Sequence, residues 1–198
     1  MKEFDIILTN FLMSVWVWGY ILSCLLIVIE SIIPILPLSV FITLLFYKVG
    51  ILFGFLISYT FTIIGCVISY KLFNSKLRES LEKYIIKKDK QKLGKVLENI
   101  KKIKFVNLCL IIALPFTPAF LVNIACGLSN VDKRKYILSL LVGKIFLVIF
   151  WGLVGTSIIN SVKNPINLIY IGILLLLCFI VSKFVSKKEG LEWIIIIL

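Results

Sequence analysis

The sequence predicts an all-α integral membrane protein, a helical bundle with about four full spans and two facing, proline-containing re-entrant hairpins in inverted repeat, plus a cytoplasmic amphipathic helix. Of its 198 residues, 61% are hydrophobic, and the mean hydropathy is +1.09. Only 16% are charged, too few to cover the surface of a soluble protein of this size. Several windows of roughly 20 residues hold almost no charge, as bilayer-spanning helices require.

The first predicted span is the apolar segment that follows the start MKEFDIILTN. It runs for about 22 residues without a small-residue cleavage pattern, so we expect a retained span rather than a cleaved signal. Glu30 lies near its end. A carboxylate inside a span is costly and tends to mark an ion or proton pathway. The alternative is that Glu30 ends its helix at the outer surface and meets water.

Two prolines interrupt the apolar run after this span. Pro34 and Pro37 stand in IESIIPILPLSVF, and an aliphatic stretch continues to Gly50. Proline removes a backbone donor and clashes with the preceding turn, which disfavours a straight helix facing lipid. We predict a re-entrant hairpin over about 31–49, followed by a span that contains Gly65 and Tyr70.

A basic loop follows that span. Residues 71–104 hold 12 Lys or Arg against four acids, so the positive-inside rule places the loop in the cytoplasm. Its apolar residues recur at helical spacing, which predicts an amphipathic helix along the cytoplasmic lipid surface. The net charge of +12 follows this topology, and no basic groove with interleaved aromatics is visible, so nucleic acid is not an expected partner.

Two further basic clusters constrain the topology of the second half. They are VDKRK at 131–135 and the lysines of SKFVSKKEG near the C-terminus. If the apolar stretch 105–128 crossed the membrane, both clusters would lie outside. If it enters and leaves on the cytoplasmic side, all clusters lie inside and only Lys163 is outside. We therefore predict a second re-entrant hairpin over about 105–128, then spans near 136–159 and 166–182, with both termini cytoplasmic.

The second hairpin contains the same kind of interruption as the first. Its sequence ALPFTPAFLVNIACGL carries Pro115 and Pro118, with Asn123 and Gly127 behind them. Broken backbone at membrane depth is tolerated where it is buried in protein or lines a wet cavity. The alternative is an ordinary span with a proline kink. Two P-x-x-P segments that enter from opposite sides are typical of the inverted repeats of secondary transporters.

The sequence holds none of the usual signals of an enzyme, and we expect no enzymatic activity, metal or cofactor. Histidine is absent, and the cysteines form no C-x-x-C pair, which argues against a zinc site, a haem attachment or a Cys-His nucleophile. There is no P-loop, G-x-S-x-G elbow or dinucleotide fingerprint. The five cysteines read as small apolar packing residues; they are Cys24, Cys66, Cys109, Cys126 and Cys178.

These motifs together resemble the DedA superfamily, and most of all its VTT-domain branch, also called SNARE-associated Golgi proteins. The resemblance covers roughly residues 20–160; its most specific part is P-x-x-P-x-x-x-x-N-x-x-x-G-L at 115–128. It implies a compact bundle with two facing re-entrant hairpins that moves lipids between leaflets. Bacterial members are associated with recycling undecaprenyl phosphate or with phospholipid transport, and eukaryotic members with phospholipid scrambling. The resemblance also implies the plasma membrane of a bacterium.

The chain departs from the family pattern in three places. The first hairpin commonly carries P-G-[DE], whereas Pro37 begins P-L-S here. Ala113 stands where the family often has an arginine, before the second pair of prolines. F-N at 73–74 stands where a Gly-Arg pair usually follows the tyrosine. Glu30 is the family's hairpin acid that remains.

The function predicted from the resemblance is translocation of a phospholipid or of a polyprenyl (undecaprenyl) phosphate along a path between the two hairpins. We expect Glu30 to titrate or to contact the headgroup, and Lys144 to attract an anionic phosphate or pair with Glu30. The alternative for Lys144 is that it snorkels to the interface. The predicted hairpin backbone and polar lining are Pro34, Pro37, Ser39, Thr43, Pro115, Thr117, Pro118, Asn123 and Gly127, with Gly65 and Tyr70 as packing positions.

Two other functions fit the same sequence, namely a proton- or ion-coupled transporter of small solutes and a scaffold that transports nothing. Expected partners are membrane lipids, through anionic headgroups at the cytoplasmic face, with protons and a second copy of the chain as further candidates. We predict a single domain over 1–190. The tail 191–198, LEWIIIIL, is too short to span, and its Trp193 suits the interface.

Overall fold

The computed structural model describes residues 19–33, 37–75, 97–161 and 166–188, and the regular elements within these ranges are all α-helices. In chain order they are α1 (Gly19–Glu30), α2 (Leu38–Val49), α3 (Ile51–Asn74), α4 (97–101), α5 (Phe105–Ala113), α6 (Ala119–Leu128), α7 (Lys133–Asn160) and α8 (Ile166–Lys188).

Three helices of the described part are long and apolar enough to cross a membrane. They cover Ile51–Asn74, Lys133–Ile159 and Leu168–Val185. The fourth predicted span is the N-terminal one, of which the structure describes only α1, Gly19–Glu30. The all-α membrane fold is therefore confirmed. Outside the described residues lie Pro34, Lys163, the tail 191–198 and most of the predicted amphipathic helix (76–96).

α2 is a short apolar helix that packs between α3 and α7. Its 12 residues extend for about 18 Å, well short of a bilayer core of about 30 Å. Its buried side chains recur on one helical face, which turns toward α3 and α7; they are Leu38, Ile42, Leu45 and Phe46. Gly50 joins α2 to α3 at a φ of 86°, in a region that side chains disfavour. This arrangement fits a hairpin, and its entry from the outside stays a prediction.

The second proline segment separates two short helices, α5 and α6. Their nine and ten residues extend for about 14 Å and 15 Å, and neither crosses a bilayer alone. Leu114 and Pro118 are both extended, with ψ of 127° and 117°. The interruption over 114–118 thus divides the segment into two helices instead of kinking one. α5 packs mainly on α7, and α6 mainly on α3.

Glycines allow α7 to approach its neighbours closely. A Cβ atom at Gly152 or Gly155 would overlap the side chains of Phe46 and Thr43 in α2. A Cβ atom at Gly143 would lie 2.8 Å from Cβ of Ile112 in α5. Small residues at such contacts let helix backbones pack where lipid offers no hydrophobic driving force. α7 therefore holds α2 on one side and α5 on another, and so fixes both proline segments in place.

Candidate functional site

A cavity of about 210 Å³ lies between the two proline segments. Glu30 at the end of α1 and the start of α2 line one side, and residues 115–119 line the other. α7 contributes the third wall. The complete lining is Glu30, Pro37, Leu38, Ser39, Pro115, Phe116, Thr117, Pro118, Ala119, Leu147 and Trp151. The structure thus brings together prolines that are nearly 80 residues apart in the sequence.

Glu30 is half-buried at the edge of this cavity. One of its carboxylate oxygens, Oε2, is buried and has no hydrogen-bond partner among the described residues. Glu30 is therefore enclosed by protein at this oxygen and borders the cavity with the rest of its side chain. Carboxylates in such positions tend to mark ion or proton pathways.

Lys144 lies next to the same cavity and is enclosed by protein. Its side chain is 1% exposed, and its Nζ has no hydrogen-bond partner within the part of the chain that the structure describes. It lines a space of about 10 Å³ that shares Thr117, Ala119 and Leu147 with the larger cavity. The ammonium group therefore does not snorkel to the interface.

Glu30 Oε2 and Lys144 Nζ are both buried without a hydrogen-bond partner in the described part of the chain, so they form no hydrogen bond with each other. Polar and charged groups removed from water are costly unless partners with good geometry satisfy them. These two groups lie at neighbouring cavities that share Thr117, Ala119 and Leu147. A ligand that offers polar atoms to either group would relieve this cost.

The other predicted lining residues are divided between the cavity and its surroundings. Thr117 is buried, and its hydroxyl lies 3.0 Å from Oγ of Ser182 in α8. Ser39 faces both the cavity and a neighbouring groove of about 310 Å³. Thr43 lines only the groove, and it donates a hydrogen bond of 3.3 Å to the carbonyl of Trp151.

Asn123 lies outside the larger cavity and belongs to a buried hydrogen-bond network. Its Nδ2 donates to the carbonyl of Ser31 at 3.0 Å, and its Oδ1 accepts from the Tyr136 hydroxyl at 2.7 Å. The same hydroxyl lies 3.2 Å from the carbonyl of Cys66. We call Ser31, Cys66, Asn123 and Tyr136 the polar clasp. It ties the end of α1 to α3, α6 and α7, and so links the two proline segments.

The predicted packing positions, Gly65 and Tyr70, lie at tight helix contacts, and so does Gly127, which was predicted to belong to the hairpin lining. A Cβ atom at Gly65 would be 2.8 Å from Oγ of Ser31, and one at Gly127 would be 2.8 Å from Cβ of Phe73. Tyr70 stacks on Tyr136 with ring centroids 4.3 Å apart. Its hydroxyl donates to the carbonyl of Val131 at 2.7 Å. These contacts keep the helices that carry the polar clasp in fixed positions relative to one another.

Sequence reasoning missed several residues of the site. Phe116 and Trp151 line the cavity and contact each other edge to face, with centroids 5.8 Å apart. Tyr136 is fully buried at the centre of the clasp. Aromatic residues are common in apolar spans, so nothing in the local pattern distinguishes these three. No group of three or more His, Cys, Asp or Glu that could hold a metal occurs among the described residues.

Comparisons with known proteins agree with this architecture. The family model of the VTT domain matches residues 33–157, which include both proline segments and the polar clasp from Cys66 onward. The chain is 24% identical to the "Uncharacterized membrane protein YhjE" of Bacillus subtilis (strain 168) over 180 residues, 91% of this chain and 86% of the relative. No solved structure matches the chain. The chain therefore belongs to the VTT-domain family of membrane proteins within the DedA superfamily.

Proposed function

We propose that this protein moves a phospholipid or a polyprenyl phosphate between the two leaflets of the plasma membrane, through the space between its proline segments. The observation that carries the proposal is the cavity of about 210 Å³, with Glu30 at its edge and the buried Lys144 next to it. Neither Glu30 Oε2 nor Lys144 Nζ has a hydrogen-bond partner among the described residues. Family membership supports a transport-like role in a membrane.

The polar part of the site suits a lipid headgroup. A headgroup that crosses hydrocarbon loses its water, and the loss is costly unless protein groups replace the hydrogen bonds. Here the interruption at 114–118 leaves backbone groups outside any helix, beside the charges of Glu30 and Lys144. Inverted repeats with broken helices offer such groups near the middle of the bilayer. The site would lower the dehydration barrier without covalent chemistry.

The apolar part of the site suits the acyl chains. The groove of about 310 Å³ adjoins the cavity through Ser39 and Trp151, which line both. Its remaining lining is mostly aliphatic, with Thr43 and Gly155 the exceptions: Val40, Thr43, Leu44, Val154, Gly155, Ile158 and Ile159. A headgroup in the cavity with a chain in the groove would match the amphipathic character of a lipid. A small polar solute has no hydrocarbon chain to occupy the groove.

Leaflet exchange in proteoliposomes tests the proposal. Labelled phospholipid and a polyprenyl phosphate are supplied in separate experiments to the purified protein. We expect exchange that depends on the protein and falls at least about ten-fold in Glu30→Gln and Lys144→Gln, equivalent to about 1.4 kcal/mol on the barrier. Pro115→Ala should also reduce it. Matched controls are Glu98→Gln and Lys102→Gln, which remove the same charges from an exposed pair outside the spans.

Two outcomes would count against the proposal. Correctly folded protein that exchanges neither lipid, with or without an imposed gradient, would reject lipid translocation and favour an ion-coupled carrier of small solutes. Loss of exchange in the Glu98→Gln control equal to that in Glu30→Gln would reject the assigned role of the cavity. If Glu30 and Lys144 act as a coupled pair, the double variant should recover part of the exchange that either single variant loses.

A further inference from the structure

A second polar cavity, of about 460 Å³, lies at the opposite end of α3 from Gly50. Its walls come from three segments that are distant in sequence: the last turn of α3, the end of α4, and the turn between α6 and α7. We call it the basic cavity. Its lining is Tyr70, Asn74, Lys101, Asn130, Val131, Asp132, Lys133 and Lys135.

The walls of the basic cavity are held in place by hydrogen bonds. The Tyr70 hydroxyl donates to the carbonyl of Val131 at 2.7 Å, and it lies 3.4 Å from Nδ2 of Asn74. Asn130 has a positive φ of 53°, which turns the chain sharply between α6 and α7. These contacts fix the floor of the cavity at Tyr70 and Val131, while Lys101 and Lys133 are exposed at its edge and Lys135 is half-buried.

The described lining of the basic cavity carries a net positive charge. It contains three lysines and a single acid, Asp132. The Asp132 carboxylate caps α7 by accepting a hydrogen bond from the backbone N–H of Lys135 at 2.8 Å. Among the described residues, no carboxylate forms an ion pair with Lys101, Lys133 or Lys135; the neighbouring pair is Lys102 with Glu98, outside the cavity.

The basic cavity lies where two candidate membrane spans meet end to end in the fold. Its lining includes the end of one candidate span, Ile51–Asn74, and the start of another, Lys133–Ile159. Phe105 and Val106, the first residues of α5, are 41% and 63% exposed, as apolar side chains that face lipid would be. Basic pockets between helices at such span ends bind phosphate-bearing headgroups.

From these observations we infer that the basic cavity binds the phosphate of an anionic lipid from the adjacent leaflet. The ammonium groups of Lys101, Lys133 and Lys135 donate charge-assisted hydrogen bonds to the phosphate oxygens. The positive end of the α7 dipole adds to the attraction. This site is separate from the cavity beside Glu30, and binding there does not require that the protein moves lipid.

The test measures lipid binding to the full-length protein in non-ionic detergent by native mass spectrometry. The probes are phosphatidylglycerol, phosphatidylcholine and glycerol phosphate. The cavity variant carries Lys101→Gln, Lys133→Gln and Lys135→Gln. A matched control carries Lys102→Gln, Lys104→Gln and Arg134→Gln, which remove the same charge from positions adjacent in sequence but outside the cavity. An arginine version of the cavity variant keeps the charge.

We expect phosphatidylglycerol to bind the cavity variant about 100-fold more weakly than the unsubstituted protein, since each lysine that donates a hydrogen bond to the phosphate contributes roughly a factor of five. The control variant and the arginine version should bind nearly as the unsubstituted protein does. Equal weakening in the two glutamine variants would overturn the proposal in favour of diffuse surface charge. Glycerol phosphate binding as tightly as phosphatidylglycerol would overturn the lipid as the source of the phosphate. Loss of phosphatidylglycerol binding in the arginine version would also overturn the proposal, because it would show that the positive charge of these residues is not what binds the lipid.

Discussion

The polar clasp makes a specific prediction for Tyr136→Phe. The substitution removes one hydroxyl oxygen and keeps the ring that stacks on Tyr70 at 4.3 Å. The lost hydroxyl donates a hydrogen bond of 2.7 Å to Asn123 Oδ1, so this oxygen loses its donor. The substitution also removes the 3.2 Å contact with the carbonyl of Cys66. We expect the variant to be less stable, because these acceptors lie where neither water nor lipid offers a donor.

The size of the effect follows from the burial of the group left behind. Hydrogen bonds between membrane helices average about 0.6 kcal/mol and reach about 1.7, because groups freed on unfolding find other partners. A buried polar group left unsatisfied in the folded state costs about 1–3 kcal/mol. Asn123 is 2% exposed, so bulk water does not reach its Oδ1, and Lys144, which lines the same space of about 10 Å³, is a donor that would reduce the loss if its Nζ moved to it. We therefore expect a loss near the upper end of the first range, about 1.5 kcal/mol.

Equilibrium unfolding in mixed detergent micelles measures this loss. Tyr59→Phe is the matched control, since the Tyr59 hydroxyl also joins α3 to α7, by a 2.9 Å bond to the carbonyl of Leu141, but in a partly buried position. We expect it to cost less than half as much. A double-mutant cycle with Asn123→Ala should give a coupling energy of about 1 kcal/mol. A loss in Tyr136→Phe no greater than that in Tyr59→Phe would refute the reasoning.

Two further predictions concern packing and topology. Gly65→Ala should lower the free energy of unfolding by about 1–3 kcal/mol in the same assay, because the new Cβ would meet the side chain of Ser31 at 2.8 Å. The control is Gly172→Ala, which should be neutral because nothing lies within 4 Å of its Cβ position. Equal effects of the two substitutions would contradict this packing account. The positive-inside rule predicts that Lys163 is outside and Ser75 inside. An impermeant thiol reagent added to intact cells should therefore label the Lys163→Cys variant more strongly than the unsubstituted protein with its native cysteines, and should not do so for Ser75→Cys. The reverse pattern would invert the predicted topology.

Sequence reasoning was most reliable where a property is local or compositional. The apolar content of the chain predicted an all-α membrane protein, and the structure confirms it. The prolines predicted interruptions, and α5 and α6 are indeed separated at 114–118. Proline acts through its own ring and missing N–H, so its effect does not depend on distant contacts. The same motifs placed the chain in its family, as the VTT-domain match over 33–157 confirms.

The roles of single polar residues were harder to predict. Asn123 was expected to line the path, and the structure places it in a hydrogen-bond network with Ser31 and Tyr136. The snorkelling alternative for Lys144 rested on its position along α7, and the structure encloses its ammonium group. Which side chain faces which neighbour depends on how the helices are rotated against each other, and the local sequence does not encode this rotation.

The bilayer environment, the helical class, the proline breaks and the family could all be predicted from the amino-acid sequence, because bilayer burial and proline geometry act on each segment separately. The packing of the helices, in contrast, brings Glu30 and Lys144 to adjoining cavities and lines another cavity with Lys101, Lys133 and Lys135. In a soluble helix the polar face reveals which side points outward. In a membrane helix the lipid-facing and protein-facing sides are both apolar, so only packing decides which side turns inward.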